Sequence, residues 1–473
     1  MGDAGRPWSG PAWHLPGLDG PRPAGQDWHE GRTASGDAFR APRLDPDSAA
    51  RVARAVRDAA LEARARLSIH DVVRVVARAA GRLADAGDLA GRAARDLLRA
   101  ELGWSTEGTA GTLRGMAEGW TAEALGALLA AELGDPLVLD SFRPDPTRPG
   151  RRRRAVGPPL LLQLHAGNVP GVAVTGTIRG LLARSGVLSK AAEDEPGLLA
   201  LFARTLAEED ALLGRTVAAT WWPGGERVPA WDAWAKHASK VVVYGGDSAV
   251  SEVRARVDPA TEVVAYGPRL GVAVLLADAP ADTLAGLARD LCAYEQRGCV
   301  SPRIAYAVGG DPLAVAERLD AALAGETRRV RPAPVSEPEA VALRAVRAEA
   351  EFGGFAPGAP ASVALGPDDL AWTVIARRGP GVESRALPRA IWVYGVEGVA
   401  DVLELLAPFE GRIQALGYAG REGLEELAEG AARLGVSRIA PVGTMAWPPA
   451  DWRHEGRHQL LPLLRWTDLE MGP

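Results

Sequence analysis

From residue 160 onward the sequence alternates short apolar runs with amphipathic stretches, and this alternation constrains the fold more than any other feature. Runs at 160–165, 187–190, 217–221, 240–244 and 261–264 read as strands, with helices at 172–184, 197–212, 229–236 and 248–256 between them. A second series starts near Gly271, with strands at 271–276, 303–308, 371–376, 391–394, 413–418 and 437–440. Its helices are 282–294, 313–324, one opened by the capping-box pair Ser336 and Glu339, 399–406 and 423–434. Such βα alternation predicts an α/β fold with two parallel sheets, each flanked by helices. Ligands then bind at the carboxyl ends of the strands.

The chain ahead of this series reads differently. Residues 1–45 are rich in Pro, Gly and Arg without apolar periodicity, and predict a mobile tail or an arm lying over another surface. Helices follow at 47–67, 69–85, 89–102 and 121–133, with Ser68 and Asp71 at capping-box spacing. Residues 136–140 read as a strand and 143–150 as a Pro-rich turn. The basic run Arg151 to Arg154 reads as part of a solvated hairpin arm, about 137–158, of the kind that makes subunit contacts, so a homo-oligomer is expected.

Charge and cysteine usage exclude several classes. With 473 residues and a net charge of −6, the chain needs more than one domain and does not suit nucleic acid. Two cysteines seven residues apart do not make a disulfide framework, which points to a reducing compartment. The opening Met1-Gly-Asp-Ala-Gly-Arg6 lacks a secretory h-region and has Arg where myristoylation needs Ser or Thr. No run of about 18 apolar residues exists, so no membrane span is expected and the predicted location is cytoplasmic. No metal site is expected.

Both cysteines lie in Asp290-Leu-Cys-Ala-Tyr-Glu-Gln-Arg-Gly-Cys-Val-Ser-Pro-Arg303. Cys292 falls in the amphipathic run 282–294 and reads as a small buried hydrophobe. Cys299 follows Arg297-Gly298, where glycine is expected to break the helix. A thiol at such a junction meets free backbone N–H groups and an arginine that would favour the thiolate. Four loops stand at strand ends of the first sheet. They are His165-Ala-Gly-Asn168, Lys190-Ala-Ala-Glu193, Trp222-Pro223-Gly-Gly225 and Tyr244-Gly245-Gly246. An amide such as Asn168 can donate to an oxyanion, although a turn or cap residue has the same appearance. None of the loops is a G-x-G-x-x-G fingerprint.

These stretches are similar to the bacterial-luminescence type of long-chain fatty acyl-CoA reductase, a branch of the aldehyde dehydrogenase superfamily. The resemblance runs from about Leu67 to Glu470. It is densest in Gly167-Asn-Val-Pro170, Trp222-Pro223, His237-Ala238, Gly245-Gly246 and Asp290 to Cys299, with weaker echoes at Glu132 to Pro136 and His454-Glu-Gly456. The resemblance implies an aldehyde-dehydrogenase-like fold with the active site in the cleft between the two α/β domains. The implied division is an arm at 1–45, a helical lead-in with the dinucleotide-binding domain at 46–267, a catalytic cysteine domain at 268–440 and a packing or oligomerisation tail at 441–473. Cys299 then matches the nucleophile that takes an acyl group from a thioester, and Asn168 the oxyanion amide. Lys190 matches a cofactor-ribose ligand; Gly245 and Gly246 match the turn near the pyrophosphate, beside Trp222 and Pro223. The implied reaction is reduction of acyl-CoA or acyl-carrier thioesters by NADPH or NADH. Synthetase and acyl-transferase partners are also implied.

Two departures from the superfamily bear on chemistry. The glutamate base of hydrolytic relatives aligns with Ala265, which leaves Glu262 as the only rescue candidate. The glutamate of a later cofactor loop is missing where Leu387-Pro-Arg389 stands. Glu193, beside Asp194 and Glu195, would accept from a ribose 2′-OH and repel a 2′-phosphate, favouring NADH relative to NADPH-using relatives. Other readings are an oxidative aldehyde dehydrogenase and an acyl-accepting subunit dependent on a partner.

Overall fold

The computed structural model describes residues 12–18, 27–226, 228–353, 360–383 and 385–471. Two antiparallel strands come first, β1 (Asp27–Arg32) and β2 (Ala38–Arg43). They are followed by β3 (Arg143–Pro144) and β4 (Arg151–Val156). The first parallel sheet then takes β5 (Leu160–Leu164), β6 (Gly186–Lys190), β7 (Val217–Thr220), β8 (Lys240–Tyr244) and β9 (Glu262–Tyr266), in the order β7-β6-β5-β8-β9. Its middle strands are buried along nearly their whole length, as a sheet covered on both faces requires. The one polar side chain pointing into that core from β5, Gln163, gives its Nε2 to the Gly176 carbonyl at 2.8 Å. Strand order reverses between β5 and β8, so a crevice opens there at the carboxyl ends.

The second sheet holds β10 (Leu270–Leu275), β11 (Pro302–Val308), β12 (Ser362–Leu365), β13 (Thr373–Arg377), β14 (Ala390–Val396), β15 (Ile413–Ala419) and β16 (Arg438–Pro441). It runs β12-β13-β14-β11-β10-β15-β16 and is parallel except for β12, an antiparallel edge strand that the alternation did not predict. A last strand, β17 (Arg465–Glu470), pairs with β4, giving the small sheet β17-β4-β3. The fold is thus α/β with two mainly parallel sheets, as the alternation implies.

Four expectations are revised. Residues 136–140 are not a strand: Pro136–Leu139 is a 3₁₀ turn, because proline has no N–H for a ladder and the Asp135 carboxylate caps Leu137 N–H at 3.0 Å. Arg151 to Arg154 is the central strand of a three-stranded sheet, with the Arg153 guanidinium over the Trp466 ring at 5.1 Å. The described part of the N-terminal stretch is an arm and no mobile tail. His14 pairs with Ala219 of β7 through two backbone hydrogen bonds of 2.8 Å, and Phe39 of the β1–β2 hairpin sits edge-on to Trp221 at 4.8 Å. A helix at Thr106–Glu118 was not expected, because its glycines at 108, 111 and 115 lower helix propensity. Gly115 has a packing reason: a Cβ there would come within 2.1 Å of the Trp447 ring.

Among the described residues no helix is long and apolar enough to cross a membrane. The Trp-rich tail packs back over the molecule and is held by carboxylates. Asp290 accepts from the N–H groups of Gly443, Met445 and Ala446. Glu132 accepts from Gln459, Leu460 and Leu461 at 2.6, 2.8 and 3.0 Å. Replacing Glu132 by Ala orphans those three donors, so Glu132→Ala should lose about 2–4 kcal/mol in a urea unfolding curve. Hydrogen exchange should quicken at 459–461.

Candidate active site

The helix that carries Cys292 stops at that residue (Thr283–Cys292), two short of the expected end. Three consecutive non-glycine residues then take left-handed φ: Tyr294 at 54°, Glu295 at 52° and Gln296 at 59°. Gly298 is not the breaker, since its φ is not positive. Each left-handed side-chain-bearing residue costs about 1–3 kcal/mol and persists only where its surroundings over-determine it. Here they do. The Glu295 carboxylate meets the Arg389 guanidinium in two hydrogen bonds of 2.7 and 2.9 Å, both groups buried. The Gln296 amide donates to the carbonyls of Pro302 and Ala390 and accepts from Ala390 N–H at 2.6 Å. Tyr294 packs its ring on Trp447 with centroids 4.7 Å apart. Arg389, in the stretch expected near a cofactor loop, therefore serves the cysteine loop.

This bend places the Cys299 thiol with Sγ 3.9 Å from Nε2 of His454. Burial pushes the thiol up to about 11; the Glu455 charge adds to this, while the Cys299 backbone N–H, Arg269 and Arg303 oppose it. The expectation of an arginine-activated thiolate is not met. The Arg297 guanidinium turns to Glu339 at 3.3 Å, while its carbonyl accepts from Asn168 Nδ2 at 3.2 Å. Asn168 and the Cys299 loop are thereby brought together, and the second N–H of the amide is left for another acceptor.

Beside the thiol lies an apolar cavity of about 140 Å³, walled by Met116, Trp120, Leu128, Ile178, Trp447 and Trp452, with Cys299 and His454 on its lining. Trp120 closes its own polar atom onto Thr175 Oγ1 at 2.9 Å, which keeps that wall apolar. His454 belongs to a pile of rings: Tyr266 is 4.7 Å away and nearly parallel at 7°, and Trp452 is 5.1 Å away at 34°. Tyr244 and His165 continue the stack below Tyr266. His454, the unexpected helix Thr106–Glu118 and the Glu295–Arg389 pair are what sequence reasoning missed. The one signal for His454 was the short His454-Glu-Gly456 echo.

The strand-end residues divide. Lys190, at the end of β6, is buried, and burial pulls its ammonium down to about 8 against the raising effect of Glu193 and Asp194. Among the described residues its ammonium makes no hydrogen bond, while its carbonyl accepts from His165 N–H at 3.2 Å. Glu193 lies on the next loop, its carboxylate over Gly224, where a Cβ would come within 2.7 Å. Its carbonyl accepts from Trp221 Nε1 at 3.1 Å, which ties the β6 and β7 loops together. Gly246 opens the helix Asp247–Arg256 with open space on its Cβ side, whereas Gly245 N–H already bonds the Tyr266 carbonyl. Trp222 is different: it is buried against Trp234 and belongs to the core below the crevice, with Pro223 continuing the loop. A buried cation without a hydrogen bond, a neighbouring carboxylate and an uncovered glycine suit the diol and phosphates of a dinucleotide.

Ala265 packs with Val243 and Val263, while Tyr266 faces the ring stack, and the Ala265 carbonyl accepts from Arg457 at 2.7 Å. Glu262 cannot stand in as a base. It sits at the far end of β9, paired with Lys240 at 2.7 Å and Arg465 at 2.9 Å.

The model of the acyl-CoA reductase (LuxC) family matches residues 64–466. The long-chain acyl-protein thioester reductase of Aliivibrio fischeri is 24% identical over 354 residues, covering 73% of this chain and 71% of that one. Its counterpart from Vibrio harveyi is 26% identical over 359 residues, with the same two coverages. In three dimensions the chain is similar to aldehyde dehydrogenase C of Pseudomonas syringae, solved with NAD+ and octanal: TM-score 0.73, 14% identity, 98% of each chain. The NADP-dependent glyceraldehyde-3-phosphate dehydrogenase of Bacillus halodurans, solved with NADP, gives TM-score 0.70 at 13% identity over 95% of this chain and 97% of that one. At such identity the likeness shows the aldehyde dehydrogenase fold.

Breaking the buried pair tests what the cysteine loop depends on. Arg389→Leu leaves Glu295 buried without its cation and should cost about 3–5 kcal/mol in denaturant unfolding. The double variant Glu295→Leu with Arg389→Leu should recover part of that loss.

Proposed function

The chain belongs to the acyl-CoA reductase (LuxC) family, and from that premise we propose that it reduces acyl thioesters to aldehydes through an acyl intermediate on Cys299. The observation that carries this reading is the Cys299 thiol on the wall of an apolar cavity, with the Asn168 amide tied to the same loop. The cavity takes the acyl chain and holds the thioester carbonyl at Sγ. Sγ attacks the carbonyl carbon, the oxyanion is held by the free N–H of Asn168, and the donor thiol leaves. When bound, a reduced nicotinamide cofactor supplies the hydride that turns the acyl group on Cys299 into a thiohemiacetal. Collapse of that adduct releases the aldehyde and returns the thiolate.

Lys190, Glu193 and Gly246 are the residues we assign to holding the cofactor, NADH or NADPH, with Gly245, Trp222 and Pro223 shaping the loops. A carboxylate on the loop after β6 favours a ribose 2′-OH over a 2′-phosphate. Reduction is favoured over oxidation to an acid because neither Ala265 nor Glu262 offers a base that could activate water at Cys299. The donor is acyl-CoA or an acylated protein.

Two measurements test the reading. Cys299→Ala should abolish both aldehyde formation and acylation by fatty acyl-CoA, followed by mass spectrometry, while Cys292→Ala keeps both. Burial holds the Cys292 thiol at about 12, out of reach of the reaction. Acylation that persists in Cys299→Ala would sink the assignment. It should also proceed in the purified chain without a partner protein. For the cofactor, NADH and NADPH should give comparable kcat/KM, and Glu193→Ser should raise the NADPH-to-NADH ratio by about 10-fold or more. A strong NADPH preference in the parent would overturn the role given to Glu193.

A further inference from the structure

His454 stands with Nε2 3.9 Å from the Cys299 sulfur, and no role has yet been given to it. It sits in a tail turn (Gly456 N–H to the Arg453 carbonyl, 3.1 Å) fixed by Glu455. The Glu455 carboxylate accepts from Gly267 N–H at 2.9 Å and pairs with Arg269 and Arg457. Tyr266 covers one ring face and Trp452 flanks the ring, and Nε2 is directed at Sγ. Such a ring offers the sulfur its in-plane nitrogen and little else.

We propose that His454 is a catalytic residue that acts as a neutral imidazole, donating an Nε2–H hydrogen bond to Sγ whenever the sulfur carries negative charge. The inference rests on the reading of Cys299 as the nucleophile. The steps balance without a proton passing through the ring. The Sγ proton goes to solvent, the Sγ–carbonyl bond forms, the bond from carbon to the donor sulfur breaks, and the departing thiolate takes a proton from solvent. On collapse of the thiohemiacetal, its hydroxyl proton goes to solvent, the carbon–oxygen double bond forms, the carbon–Sγ bond breaks with its electron pair returning to Sγ, and the N–H again meets a thiolate. Hydrogen bonds to a charged acceptor are the strong ones, and a water-poor site makes them stronger.

The surroundings explain why the ring keeps to this role. Burial, and then the cations Arg179, Arg457 and Arg269, hold His454 down at about 3. Among the described residues, the other titratable groups around the ring and the thiol are Tyr244, Tyr266, Tyr294, Glu455 and Arg303, with Cys299 itself. An imidazole of so low a basicity is a poor proton acceptor at working pH. It can hold a thiolate without activating water against the acyl-enzyme. This supplies a positive reason for reduction that the blank at Ala265 gives only negatively.

The test compares wild type, His454→Gln and His454→Leu. Cys299 is alkylated with iodoacetamide and acylated with dodecanoyl-CoA between pH 5 and 10, both followed by mass spectrometry, with circular dichroism checking the fold. Glutamine keeps an N–H donor and has no basicity, so it should react within about 5-fold of wild type, whereas leucine should be slower by about 10- to 100-fold. The wild-type alkylation rate should climb with the thiol alone, without an inflection between pH 5 and 8. Glutamine as slow as leucine, or a low-pH plateau lost in His454→Gln, would make the ring a proton acceptor and overturn the proposal. Leucine as fast as wild type would make it a bystander and overturn it equally. If the alkylation order holds but dodecanoyl-CoA never acylates Cys299, this inference stands and the thioester reading fails.

Discussion

A buried ion pair sets the geometry on which everything near the thiol depends. Glu295 and Arg389 face each other across the start of β14, and their two hydrogen bonds pin the middle of three left-handed residues. A buried pair of this kind is weak evidence for net stability, because desolvation offsets most of the attraction. Its value lies in specificity. Without a fixed partner for Glu295, Tyr294 to Gln296 would relax toward right-handed helix, and the seven residues from Cys292 to Cys299 would carry the thiol elsewhere. Gln296 repeats the device with neutral groups, since it binds the first residues of β11 and β14 together. The cysteine loop is thus hung from the starts of two neighbouring parallel strands, which are the stiffest supports available.

The tail completes the site from the other side. Asp290, two residues before Cys292, accepts from three N–H groups of 443–446; burial raises its carboxyl to about 6 against those same bonds. Glu132 and Glu455 hold the next two turns of the tail. Trp447 and Trp452 come to the cavity wall as a consequence, and His454 comes to Sγ. The same segment therefore supplies apolar surface on the cavity wall and an imidazole nitrogen 3.9 Å from the Cys299 sulfur.

How far this was legible in the sequence follows from the range of each interaction. Strands such as β8 (Lys240–Tyr244) and the capping boxes at Ser68 and Ser336 depend on neighbours in the chain, and were readable there. Helix Thr106–Glu118 was not, because its Gly115 answers to Trp447, more than three hundred residues away. The arginine expected to activate Cys299 was chosen by proximity in sequence, whereas the bend sends Arg297 to Glu339. Asn168 and Cys299 were each singled out, but their approach runs through a carbonyl two residues before the cysteine, which no motif encodes. His454 is the extreme case: its place is fixed by Tyr266, Trp452 and Glu455 together.

A thiol that burial pushes up to about 11 looks at first like a poor nucleophile, yet it suits the proposed chemistry. A thiolate exposed at neutral pH reacts with any electrophile and climbs the oxidation ladder. On the proposed reading, a thiol held neutral by an apolar cavity ionises at a cost, and the cost falls where a substrate brings its carbonyl to Sγ and Asn168 takes the charge that leaves the sulfur. On the proposed reading, an acyl chain filling the cavity removes water and leaves the His454 imidazole and the Asn168 amide at the site, so the same burial that suppresses the thiolate strengthens the hydrogen bonds proposed to the developing charge. If the acyl group stands on the sulfur as proposed, neither Ala265 nor Glu262 is placed to deprotonate water against it, which favours hydride addition over hydrolysis.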